Sequence, residues 1–396
     1  MWRALLAAAF ASWFALEGLR NGLARLANRA AAWVLFLLAY TTVVQLVTGG
    51  PAEVLRNVQM HILLVCALIG IAYRGERLGE LAWTLLPALA LLGAAIAATL
   101  QAIAADPHAA RHVVRTSTAA LALLRAGVGG YQLTYACALL APVLLVLLRS
   151  GHPSPFFAAL AGLWLAASAL VLAAGFSIAV LVLAVGTALA LFWRAPRRAA
   201  PVQALFALGA LAAALLALDP LLALAEGFAE NTKYARKIAD LRDSLDLGES
   251  VGTASDRLSR YLRSLALFAD APLTGTLFYA PLGKHSQLLD GFARYGVLIG
   301  LVGLAVLVRL PGRLLAAATP WQSPVALVVQ VTLAIYLTLN NATAAHGAVV
   351  YLLLPALAFA AARRARRRPA WRPRRPHLVA RPVRPQWQRE SPPGRA

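Results

Sequence analysis

The sequence predicts an all-α polytopic membrane protein with about ten or eleven spanning helices, and three observations carry that reading. Of 396 residues, 60% are hydrophobic and 13% charged, against roughly 45–50% and ~25% in soluble domains. The apolar residues gather into runs of about 20, the length that crosses a ~30 Å hydrocarbon core as a helix. The formal charge of +21 is concentrated at one end. Twelve arginines of the stretch 363–396, less the one acid Glu390, supply +11 of it. A water-soluble globule is excluded, and charge so placed does not mark a nucleic-acid surface. The two cysteines, Cys66 and Cys137, both lie inside apolar runs, so they read as small buried hydrophobes.

The spans fall at 31–48, 57–73, 81–104, 127–148, 156–174, 176–193, 202–224, 293–310, 324–342 and 346–362. The run 57–73 is short and carries Gln59 and His61 near its start. A further apolar stretch at 4–16 is interrupted by Glu17 and lacks a small-x-small cleavage site, so it reads as a short first helix rather than a signal peptide. These spans divide the chain into an N-terminal membrane part (1–224), an external loop (225–292), a C-terminal membrane part (293–362) and a tail (363–396). The tail is rich in arginine and proline and predicts disorder.

Orientation follows from the arginines, because cytoplasmic loops collect Lys and Arg. The tail goes inside, with anionic lipid as its expected partner. Counting back, loops holding Arg309 and Arg313, Arg194, Arg197 and Arg198, Arg149, and Arg74 and Arg77 also fall inside. Two stretches are left outside, 105–126 and 225–292. The second holds nine of the sixteen acids and all three lysines, and a loop this long is functional or disordered. Tyr234, Ile238, Leu241 and Leu245 recur at helical spacing, as do Leu258, Tyr261, Leu262, Leu265 and Phe268. Thr253-Ala-Ser-Asp256 reads as a capping box for the second helix, and Pro272 and Gly275 lie beyond its end. The expectation is a small helical cap over a membrane body.

Chemistry has few places to sit. Intramembrane acid pairs and acid–histidine relays are missing from the spans, which counts against an ion-coupled pump. Metal-ligand spacings and a phosphate-binding Gly-x-x-x-x-Gly-Lys loop are also missing, so no metal and no cofactor is expected. An external transferase of this kind would need an activated substrate delivered by the membrane. On the second cap helix the apolar stripe centres on Leu265. Arg257 borders that stripe, while Arg260 and Arg263 step away from it, which points Arg257 at the membrane interface and Arg263 at water. An arginine held at an interface suits a diphosphate, because its fork binds oxygens bidentately and never loses charge. Lys284-His285-Ser286 precedes the next span, where a histidine can take a proton from a hydroxyl near neutral pH. Arg111, Arg115 and Arg125 lie in the other outer stretch, against the usual charge bias.

In order, Arg257-x-x-x-Tyr261, Pro272-Leu-Thr-Gly275, His285-Ser-Gln-Leu-Leu-Asp290 and Tyr295-Gly296 resemble the motifs of the O-antigen polymerase and O-antigen ligase family of bacterial envelope glycosyltransferases. A weaker match is Gly127-Val-Gly-Gly-Tyr131-x-x-x-Tyr135, and together the matches cover about a quarter of the chain. The resemblance implies a GT-C-type transferase in the bacterial inner membrane, with its active site facing the periplasm. It implies a glycan donor carried on undecaprenyl diphosphate, transfer to a hydroxyl, and a flippase or chain-length regulator as partner. Arg257 would contact the donor diphosphate and His285 would activate the acceptor. Arg260, Arg111, Arg115, Arg125, Lys284, Tyr261 and Tyr131 would bind substrate. Many members carry a Ser-Arg or Thr-Arg pair where this chain has Gly175-Phe176-Ser177-Ile178, so that positive charge must come from another arginine. The Tyr131 region and the His-Ser-x-x-x-Asp run look more like repeat-unit polymerases than ligases. A lipid-linked glycan flippase would instead predict internal repeats and polar residues along a central pathway.

Overall fold

The computed structural model describes residues 26, 28–73, 78–79, 82–113, 118–150, 154–192, 253–277, 282–283, 285–318 and 323–367. The expected spans at 4–16 and 202–224, the first cap helix, Arg115, Lys284 and the tail beyond Arg367 lie outside the described residues. Among those described the secondary structure is entirely helical. The helices are α1 (Arg29–Arg56), α2 (Val58–Ala72), α3 (Ala82–Ala105), α4 (Ala109–His112), α5 (Thr118–Arg125), α6 (Tyr131–Ser150), α7 (Pro155–Ala174), α8 (Ser177–Phe192), α9 (Thr253–Asp270), α10 (Gln287–Leu304), α11 (Leu310–Ala318), α12 (Ser323–Leu339), α13 (Ala344–Gly347) and α14 (Leu354–Arg367).

Six helical stretches are long and apolar enough to cross a membrane, and Val58–Ala72, Ser177–Phe192 and Val325–Leu339 are shorter apolar helices. The chain is an all-α polytopic membrane protein by length and composition. Its outer surface agrees, since Trp33, Val47, Leu91, Leu172 and Phe192 are all more than half exposed. In water such residues would be a liability, but hydrocarbon is as apolar as they are. Spanning helices must also satisfy their polar groups internally. Thr41 and Thr42 therefore donate to the carbonyls of Leu37 and Leu38, at 2.8 and 2.7 Å, and Thr332 donates to Val328 at 2.7 Å.

The helix α6 lies at the centre, with 72% of the stretch Tyr131–Arg149 buried. It packs on α7, α8 and α12, and Cys137, Leu139, Leu140 and Leu144 are shut away from the surface. Both cysteines are buried free thiols. Two spans differ in extent from their sequence reading. The first runs on to Arg56 through a kink at Gly50 (φ 64°) and Pro51. The span expected at 293–310 begins at Gln287 and continues through a π-helical segment, Ala305–Arg309, to Ala318. A second π-helical segment, Ala348–Leu353, joins α13 to α14. The Tyr351 hydroxyl crosses between the two, donating to the Val306 carbonyl at 2.7 Å. Losing that buried acceptor would leave a phenol unsatisfied at a cost of about 1–3 kcal/mol. The last helix reaches Arg367, carrying four residues of the expected tail beyond Arg363 in helical form.

Candidate functional site

Three separate stretches of chain meet at the N-terminal end of α10. The first is α10's own cap. Ser286 accepts from the Leu289 N–H at 3.1 Å, as an N-cap serine does, and donates to the Leu337 carbonyl at 3.4 Å. The Gln287 N–H donates to the Asn340 carbonyl at 3.0 Å, and the Gln287 side chain accepts from the Ala342 N–H at 3.2 Å. The chain is thereby fixed to the end of α12 at Ser286 and Gln287, and His285 precedes that N-cap by one residue.

The second stretch is α9. Its Tyr261 hydroxyl donates to the Leu339 carbonyl at 3.0 Å, and Ser264 donates to Asp290 of α10 at 2.6 Å. Ser264 also accepts from the Gly283 N–H at 3.2 Å. A Cβ at Gly283 would lie 2.2 Å from the Arg260 carbonyl, so the chain can pass this close to α9 only as glycine. Phe268 meets Phe292 edge-on with ring centroids 5.9 Å apart. Beyond α9, the turn 272–275 locks onto α10. Val297 donates to the Pro272 carbonyl at 2.8 Å, and Thr276 and Leu277 donate to the carbonyls of Ala293 and Arg294 at 2.9 Å. Gly275 and Gly296 have φ of 70° and 73°, where a side chain is strained. A Cβ on Gly296 would lie 2.0 Å from the Leu273 carbonyl. The Pro-Leu-Thr-Gly and Tyr-Gly motifs, twenty residues apart in sequence, are the two halves of one joint.

The third stretch is the start of α6. The Tyr131 hydroxyl donates to the Asn340 side chain, and Tyr131 and Tyr135 stack with ring centroids 4.4 Å apart. Phe176 stands 5.7 and 6.1 Å from their rings. Arg111 donates to the Gly175 carbonyl at 3.0 Å and lies 5.7 Å from the Phe176 ring. It therefore stands at the segment where the family resemblance would have had an arginine.

The charges converge on this meeting place. The Arg257 guanidinium hydrogen-bonds the Tyr261 side chain and acts electrostatically on Tyr131, Tyr135 and His285. Arg260 pairs with Asp256, its Nη2 2.9 Å and its Nε 3.0 Å from the carboxylate oxygens, and also acts on His285. Partial burial, then Arg260, then Arg257 hold the His285 imidazole below its ordinary pKa of 6.5, against weaker opposing pulls from Asp256 and Asp290. Burial raises the Tyr261 phenol above its ordinary value. A neutral imidazole beside two permanent cations can take a proton from a hydroxyl while the positive charge attracts an anion.

Sequence reasoning placed Arg257, Arg260, Tyr261, Tyr131 and His285 in the site, and the structure brings these five together. Arg111 reaches it through Phe176. Arg125 stands exposed in the last turn of α5, whose principal neighbour is α4. Two expectations about α9 are corrected. Its inward face carries Arg257, Arg260, Tyr261 and Ser264, so Arg257 turns toward the body rather than the membrane interface and Arg260 toward the body rather than away from it, while Leu258, Leu262 and Leu265 are exposed. Asp256 accepts from Arg260 one turn on, and the Thr253 side chain of the expected capping box lies outside the described residues. Arg263 is exposed, as its helix position predicted. Asn340 was missed, although an Asn-Asn pair closing an apolar run is the kind of polar interruption that marks a site. Among the described residues no three His, Cys, Asp or Glu side chains gather as a metal site would require.

No protein-family model matches the chain, and no curated protein matches it either. What fold and site define is a class: a polytopic all-α membrane protein with an arginine–histidine–tyrosine cluster at one end of its bundle.

Proposed function

We propose that this protein is an inverting, metal-independent membrane glycosyltransferase. It polymerises oligosaccharide repeat units carried on undecaprenyl diphosphate, as O-antigen, capsule or exopolysaccharide, on the periplasmic face of the inner membrane. The observation that supports this reading is the convergence of Arg257, Arg260 and His285 at one end of the bundle, from motifs nearly thirty residues apart. His285 takes the proton of the acceptor hydroxyl as its oxygen bonds to the anomeric carbon of the donor. The bond from that carbon to the diphosphate oxygen breaks, and undecaprenyl diphosphate leaves with the electron pair. Arg257 and Arg260 neutralise the charge that develops there. Tyr131 and Tyr261 supply the aromatic faces and polar groups that seat a sugar, the buried Tyr135 and Asn340 hold Tyr131 in place, and Arg111 sets one wall through Phe176. Donor and growing chain both arrive from the membrane, so no soluble cofactor takes part.

The test is purified protein in lipid vesicles with repeat units on undecaprenyl diphosphate. A ladder of polymer with stoichiometric release of undecaprenyl diphosphate is expected. Transfer to lipid A-core without a ladder would replace this reading by the ligase one. No transfer to either acceptor, from protein shown to be folded, would overturn both.

A further inference from the structure

We propose that α9 is seated in the headgroup–acyl boundary of the lipid bilayer on Leu258, Leu262 and Leu265, so that it forms a membrane-facing wall of the site rather than a lid standing in water. This goes beyond the proposed chemistry and stands without it.

Taken at ~100° per residue, α9 has three faces. Arg257, Arg260, Tyr261 and Ser264 form the one that packs on the body. Next to it, within about 60° of arc, come Leu258, Leu262 and Leu265, exposed to 46%, 54% and 45%. The third face carries Asp256, Ser259, Arg263 and Asp270, all exposed. A helix with one face on protein, one apolar and one charged fits the junction of protein, lipid and water.

What covers the leucines is indicated by continuity with the spanning surface. The C-terminal end of α9 is fastened at Gly296 by the turn 272–275. Leu273 in that turn is 71% exposed, and Leu298 and Leu301 just beyond Gly296 are 67% and 50% exposed. These last two lie in a membrane-spanning stretch, so the leucine ridge of α9 continues a surface that already faces lipid. Depth agrees. The stretch Gln287–Ala318 bends at Gly296, where the backbone leaves helical geometry. The part beyond the bend, from Val297 to Ala318, is about 33 Å long at ~1.5 Å per residue, close to the ~30 Å hydrocarbon core. With its far end at the opposite edge, the joint sits at the hydrocarbon boundary and α9 lies over it. Arg257, on the inward face and separated from the leucines by Tyr261, then stands on the site side of this wall at the level of the headgroup layer.

The experiment uses the full chain in phosphatidylcholine–phosphatidylglycerol vesicles, with Leu262→Cys or Arg263→Cys carrying an environment-sensitive fluorophore. The native thiols are 1% and 0% exposed, so labelling goes to the introduced one. At Leu262 a blue-shifted emission is expected, quenched by phosphatidylcholine bearing a doxyl group near its headgroup and indifferent to iodide on both sides. At Arg263 the order reverses. Leu258→Cys and Leu265→Cys repeat the measurement, so a folding failure at one position does not decide it. Iodide quenching at the leucine positions would place the ridge in water and overturn the proposal. Shielding from both quenchers would also overturn it, by showing that another stretch of this chain or a second copy covers the ridge.

Discussion

The helices α6 and α9 are nearly equal in length and solve opposite problems. In α6 the apolar residues face inward, into the packed centre formed with α7, α8 and α12. In α9 the inward face is polar and charged, and the leucines face out. The rule that apolar residues seek the interior serves α6, which is surrounded by protein. It inverts for α9, because the outside of a membrane protein is itself apolar. Burial on the inward face of α9 is then worth having only if polar groups are paired there. Ser264 with Asp290 and Tyr261 with the Leu339 carbonyl meet that requirement.

The largest expected effect tests whether the two halves of the α9–α10 joint act as one. Gly296→Val places a β-branched side chain at φ 73° and against the Leu273 carbonyl. Strain of ~1–3 kcal/mol from the backbone alone, together with the clash, should detach the turn from α10. Transfer activity and protease resistance of α9 are expected to fall together, while α6 stays protected. Loss of protection throughout would mean that the joint also holds the core.

Next in size are the charged groups. His285→Ala should lower transfer by about 10²–10⁴-fold, the usual contribution of a positioned general base, with donor binding largely kept. Arg257→Lys preserves charge but not the fork, so transfer should drop severely with donor binding weakened. A His285→Ala enzyme as active as wild type would remove the proton-transfer role from this end of the bundle.

A smaller effect lies in pH. His285 is held below 6.5 by burial, Arg260 and Arg257, so the neutral form that the proposed transfer requires persists into mildly acidic solution. The acid limb of the transfer rate should lie below pH 6.5, and Arg260→Gln should move it upward, because losing a cation eases protonation. The sign for stability is the same. The folded site binds the proton less well than the unfolded chain, so its contribution is full above about pH 6.5 and declines as pH falls through and below that value. An acid limb unmoved by Arg260→Gln would detach the limb from His285. The smallest effect is expected at Arg263→Ala, on the water face of α9, where transfer should stay near wild type. A dead variant there would assign the wrong face of α9 to the site.

Much of the membrane body was legible in the sequence, since long apolar runs have few alternatives to spanning helices. The runs 81–104, 156–174 and 176–193 recur as α3, α7 and α8 to within a residue or two at each end. The start of α10 was misplaced by six residues because Gln287 and Asp290 look like loop residues. Their partners, the Asn340 carbonyl and Ser264, are distant in sequence and supply what water would otherwise supply. The residue cluster of the candidate site was half legible. Arg257, Tyr261 and His285 stand out by type and order, whereas Asn340 and the inward turn of Arg260 depend on where α12 ends and how α9 is rotated.

The two π-helical segments have a consequence for how this chain tolerates change in length. Each wide turn holds one residue more than an α-helix would at that level, so each acts as a one-residue insertion held in place. Removing a single residue from Ala305–Arg309 or from Ala348–Leu353 would let the ordinary ladder close. Everything downstream in that helix would then keep its face, where the same deletion from a regular stretch would swing it by about 100°. For the first segment Arg313 would stay on the face it now holds, and for the second Arg363 would stay beside the Phe359 ring. What such a deletion puts at risk is the Tyr351–Val306 hydrogen bond, because its donor lies in one wide turn and its acceptor in the other.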